Sequence, residues 1–189
     1  MTPFEYVSVL ISIVLGLGIT QIVTGVADLI HHWVRVKFFW PHLLIVFLVF
    51  FLHLQEWWLL YSLKDHGEWR LSIFLFTILY PIFLFIMARI LFPSDFTSPM
   101  LDLRDFYFAN YRKFFLIISI LALLSIIDNV FIQQRAWGGQ LFQIVLLVSM
   151  IVISARKFES ITLHKVVAIL LLIAMLGGFV YNWNEWVLK

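Results

Sequence analysis

The chain contains no cysteine. Disulfides, iron–sulfur clusters, thiolate zinc sites and cysteine nucleophiles are therefore excluded. Charge is scarce as well. Lys, Arg, Asp and Glu make up 13% of the 189 residues, against ~25% in an ordinary soluble domain. No basic block is long enough to mark a nucleic-acid surface. The P-loop, the dinucleotide glycine fingerprint, HExxH and GxSxG are all missing. No Gly/Ser linker divides the chain, so residues 1–189 read as one polytopic membrane domain.

Apolar residues fill the place of the missing charge. The chain is 63% hydrophobic and 18% aromatic, with a mean hydropathy of +1.00. A water-soluble globule cannot carry that composition. A bilayer core about 30 Å thick needs about 20 apolar residues per helix. Segments of that kind fall at about 4–29, 39–63, 71–92, 114–132, 138–155 and 161–187. The fifth reaches a spanning length if Gly138–Gln140 join it or if the bilayer thins locally; the alternative is a re-entrant or interfacial piece. The expected fold is an all-α integral membrane protein, a six-helix transmembrane bundle. The start, Met1-Thr2-Pro3-Phe4-Glu5-Tyr6, has no basic region and leads into a long apolar stretch. It is expected to be a retained helix, not a cleaved signal.

Basic residues favour one orientation. With both termini on the outer side, the inner loops hold Arg35, Lys37, Arg104, Arg112, Lys113, Arg156, Lys157 and Lys165. The outer segments hold only Lys64, Arg70, Arg135 and Lys189. This asymmetry follows the positive-inside rule. The tryptophans fall at span ends and none lies mid-span, as in an interfacial aromatic belt. The expected location is a bacterial inner membrane. The longest connection, Pro93–Lys113, contains Ser98-Pro99, a helix-start signal. The charged and aromatic residues after it suit a short interfacial helix between spans three and four. They also suit an extension of the fourth helix.

The first span carries Ser8, Ser12, Gly16, Thr20 and Thr24 at every fourth position. Small residues so spaced let helices approach closely in lipid. Gly18, Gln21, Gly25 and Asp28 form a second small or polar row, with Gln21 near mid-membrane. Toward the outer side, His53 and Glu56 are three apart on the second span. Asp128 and Asn129 fall at a similar depth on the fourth, and Asn182 near that face on the sixth. An acid inside a membrane must be paired, protonated or wet. Glu56, Asp128, His53, Asn129, Asn182 and Gln21 are the candidate transport or ion-binding residues. His53 and Glu56 are also the candidates for a metal. Asp28 and Arg89, near the inner ends of their spans, suit a structural ion pair or an inner gate. Tyr80-Pro81 marks a bend in the third span.

No cofactor is expected. A bis-histidine haem needs ligands at matched depth on facing helices, and only His42 with His164 meets that condition. Three functional classes remain. The preferred one is a small channel or transporter for a cation or proton, possible as a homo-oligomer. The second is a membrane assembly, sensing or accessory subunit without catalysis. The third is a membrane-embedded metal- or haem-dependent enzyme, which no motif favours. The expected partners are the lipid bilayer, a second copy of the chain and a small cation or proton, without nucleic acid.

Overall fold

A computed structural model describes residues 2–65, 68–94 and 100–181. Six of its helices are long and apolar enough to cross a membrane. Helix α1 (Pro3–His31) opens with a capping box. Thr2 Oγ1 accepts from the Glu5 amide at 3.1 Å, and Glu5 Oε2 accepts from the Thr2 amide at 2.8 Å. Two otherwise unpaired amides of the helix start are thereby satisfied. Helix α2 (Trp40–Leu60) has Pro41 in its first turn, where no amide donor is needed. Helix α3 (Leu71–Ile90) runs through Pro81 without a break.

Helix α4 (Leu103–Ile127) starts eleven residues before the fourth apolar segment. Asp102 caps it by accepting from the Arg104 amide at 2.9 Å. Among the described residues there is no separate interfacial helix between α3 and α4. The charged aromatic stretch is the first part of α4 itself. Leu103, Tyr107, Tyr111 and Phe115 recur every four residues and are all buried, so this face belongs to the bundle. Ser98 and Pro99 lie outside the described residues. At its other end α4 passes into a π-helical turn, Asp128–Ile132.

Helix α5 (Leu141–Arg156) is preceded by a 3-10 turn, Trp137–Gln140, which brings the span to 20 residues. It ends on Lys157 in the left-handed conformation, a common helix stop taken here without glycine. Helix α6 (Ile161–Tyr181) completes the bundle, and residues 182–189 lie outside the described residues.

Helix α1 packs on α3 and α2, α4 packs on α5 and α3, and α6 packs on α2. The close face of α1 is its Gly18/Gly25 row. A Cβ on Gly18 would overlap the His53 ring, and one on Gly25 would overlap the Phe92 ring. Glycine is needed at both for backbone approach. The other small stripe lies elsewhere on the helix. Gly16, Thr20 and Thr24 are exposed, and a Cβ on Gly16 would meet nothing within 4 Å.

Helices α4 and α5 are riveted by polar bonds. Asn129 Nδ2 donates to Gln140 Oε1 at 3.0 Å, and Gln143 Nε2 donates to Ser125 Oγ at 3.2 Å. Arg112 Nε donates to the Ser154 carbonyl at 3.0 Å near the far end. In lipid such bonds add to packing, because no water competes for them.

An aromatic cluster lies at the end of the bundle opposite the N-terminus. His164 of α6 sits among Tyr107, Phe108, Tyr111 and Phe115 of α4, with ring centroids 5.3, 5.0, 4.7 and 5.6 Å away. At the same end a two-residue parallel ladder joins β1 (Val36–Lys37) to β2 (Leu101–Asp102). Val36 pairs with Leu101 and Lys37 with Asp102.

Candidate functional site

Toward the N-terminal end, α2, α3 and α4 diverge around a cavity of about 110 Å³. That space holds a few waters at ~30 Å³ each. Glu56 enters from α2, Thr77 and Tyr80 from α3, and Ser125, Asp128 and Asn129 from α4. Gln55, Ser62 and Gln133 complete its polar lining. Among the described residues, no lining residue is basic.

The backbone explains why polar groups collect here. Pro81 has no amide hydrogen, so the carbonyl of Thr77, one turn earlier, has no helical donor. The Thr77 hydroxyl donates to the Ile73 carbonyl at 2.9 Å. Across the cavity the α4 backbone widens. The Gln133 amide donates to the Asp128 carbonyl at 3.0 Å, a bond spanning five residues instead of four. Single π-helical turns of this kind are common where a helix carries function.

The two carboxyl groups are held differently. Asp128 Oδ2 accepts a short hydrogen bond, 2.5 Å, from Gln133 Nε2. Glu56 is half-buried and forms no hydrogen bond or ion pair with any described residue. The Glu56 and Asp128 carboxyls act on each other electrostatically, and both act on the Tyr80 hydroxyl. Two like charges in a small cavity favour a proton or cation between them. Arg135, outside the lining, also acts on Asp128, which leaves Glu56 as the carboxyl with no described basic group acting on it. The oxygen-rich lining suits a hard cation as well as a proton.

Of the sequence candidates, Glu56, Asp128 and Asn129 come together in this cavity. His53 does not line it. It is fully buried on another side of α2, packed on Gly18. Its Nδ1 donates to the Val49 carbonyl at 2.7 Å. His53 and Glu56 therefore do not form a shared ligand pair. No group of three or more His, Asp or Glu is arranged to hold a metal among the described residues. Asn182 lies outside the described residues. Glu5, at the start of α1, serves the capping box.

Arg89 and Asp28 form no ion pair. Arg89 Nη1 instead reaches Gln21 Oε1, at 3.5 Å. Gln21 lies two helical turns before Asp28, so the guanidinium meets α1 at another level. Nor do His42 and His164 face each other. The Tyr107 ring contacts both, at 6.1 and 5.3 Å between centroids. Both His164 ring nitrogens are bonded within the protein, to the Tyr107 hydroxyl and the Phe158 carbonyl.

Tyr80, Thr77, Ser125 and Gln133 were not singled out as site residues from sequence. The signal was present: Thr77 and Tyr80 are three apart on one helix face beside Pro81. No protein-family model, curated protein or solved structure matches this chain.

Proposed function

We propose that this protein is a small membrane channel or transporter that carries a proton or small cation by way of the cavity between α2, α3 and α4. The observation that carries this reading is the placement of Glu56 and Asp128, from different helices, in one cavity with no basic residue among its described lining. Glu56 offers the free carboxylate, Asp128 is held by Gln133, and Tyr80 supplies a hydroxyl beside both. The proposed setting is a bacterial inner membrane with both termini outside, as the distribution of Lys and Arg favours.

The test is flux through liposomes containing the purified chain, read with an internal pH dye and with a potassium-sensitive dye. Glu56→Gln and Asp128→Asn should each lower flux, and the double variant should abolish it. Undiminished flux in the double variant ends this assignment. A reporter fused to the C-terminus tests the orientation; a cytoplasmic signal reverses it.

The second reading is an assembly, sensing or accessory subunit without catalysis; the proposed homo-oligomer of the channel or transporter would use the same surface. Its support is the exposed small-residue face of α1 at Gly16, Thr20 and Thr24. Small residues on an open face permit close packing of a neighbouring helix. Native mass spectrometry in mild detergent separates a defined oligomer from a monomer.

A further inference from the structure

A second cavity, of about 350 Å³, opens between the last turn of α3 and the first half of α4. Arg89 and Lys113 line it together with Ser94 and Asn110, and Phe92 and Phe106 form apolar walls. Both cations are exposed. Neither forms an ion pair with any described residue. Lys113 Nζ donates to Asn110 Oδ1 at 3.0 Å, and Asn110 Nδ2 donates to the Phe106 carbonyl at 3.0 Å. Asn110 thus anchors Lys113 beside the groove. Arg89 spends one nitrogen on the long contact to Gln21, leaving most of its donors available.

The surroundings distinguish an amphiphile from a free anion. Leu75, Leu79, Ile82, Ile86 and Arg89 are all exposed on α3, spaced by four, three, four and three residues. They form one strip along the helix that ends in a guanidinium. On α4, Leu116 and Leu123 are exposed beyond Lys113 in the same way. Both cations therefore stand where an apolar helix surface ends. A free anion would use only the cations. A phospholipid would place its phosphate between them and lay its acyl chains along the strips.

We propose that this groove binds the phosphate of an anionic phospholipid. A guanidinium fork matches phosphate oxygens in pairs, and an ammonium beside it adds a point charge. Basic pockets between membrane helices hold anionic headgroups by this chemistry. Two unpaired cations also disfavour a zwitterionic headgroup, whose own ammonium they would repel.

The experiment uses the full chain, delipidated in mild detergent and titrated with phosphatidylglycerol or phosphatidylcholine. Bound lipid is counted by native mass spectrometry. One phosphatidylglycerol should be retained in preference to phosphatidylcholine, and millimolar inorganic phosphate should not displace it. Lys113→Gln should weaken retention about fivefold, and Arg89→Gln with Lys113→Gln about 25-fold. Arg70→Gln with Arg156→Gln removes the same charge elsewhere and should leave retention unchanged. Lys113→Gln alone keeps the test sound if loss of the Arg89–Gln21 contact disturbs folding. Equal retention of the two lipids, displacement by inorganic phosphate, or retention unchanged by Lys113→Gln would overturn the proposal.

Discussion

The Tyr107 hydroxyl lies 2.8 Å from His164 Nδ1, while His164 Nε2 lies 2.7 Å from the Phe158 carbonyl. The carbonyl can only accept, so Nε2 carries the hydrogen. In the neutral ring Nδ1 then accepts from Tyr107. One imidazole thereby ties α4, α6 and the turn between α5 and α6. Both bonds are made in a core closed by aromatic rings, where an unmade bond is costly.

Tyr107→Phe keeps the ring and removes the hydroxyl. His164 Nδ1 is then buried without a donor. The variant should lose about 1–3 kcal/mol of stability. Denaturant titration of the purified protein in detergent measures it. An unchanged midpoint would show that His164 does not depend on this bond.

Gly18 and Gly16 make a paired test on one helix. Gly18→Val puts a branched side chain into the His53 ring. It should destabilise the fold by about 1–3 kcal/mol, and His53→Ala in the same chain should recover part of the loss. Gly16→Val faces open space and should change monomer stability by no more than about 0.5 kcal/mol. The same unfolding titration reads all three variants.

The α4–α5 rivet at Asn129 and Gln140 is worth a modest amount. Gln140→Leu should cost about 0.6–2 kcal/mol. It also releases one restraint on the π-helical turn that carries Asp128. Hydrogen exchange of residues 128–133 should rise in this variant while exchange in α1 stays constant.

Cross-linking tests the ladder register without background, because the chain has no cysteine. Lys37→Cys with Asp102→Cys places two thiols on directly paired residues, within the Cα separation a disulfide spans. Mild oxidation should join them. Lys37→Cys with Arg104→Cys should join far more slowly. The reverse order would mean a shifted register.

Much of the fold is legible in the sequence because hydropathy and length are one-dimensional quantities. Six apolar segments can be counted without knowing what touches what. Glu56 and Asp128 could be set at one depth by counting residues from span ends, and both enter the same cavity. What each residue faces is less legible. His53 and Glu56 are three apart, yet α2 has neighbours on several sides, so one meets α1 and the other the cavity. Arg89 has a long side chain, and its reach to Gln21 instead of Asp28 depends on how α3 sits against α1. The early start of α4 was one of two readings, left open because Arg104, Asp105 and Arg112 interrupt an apolar count. They lie off the buried face set by Leu103, Tyr107 and Tyr111.

The short ladder between Val36–Lys37 and Leu101–Asp102 bears on how the protein is made. Helices α1 to α3 can enter a membrane as they emerge from the ribosome. The strand after α1 has no partner until the residues before α4 have been synthesised. One edge of the nascent bundle thus stays unlatched while about a third of the chain is made, and the arrival of a single dipeptide closes it. The latch can close only as α4 begins, with three of the six helices still to be made.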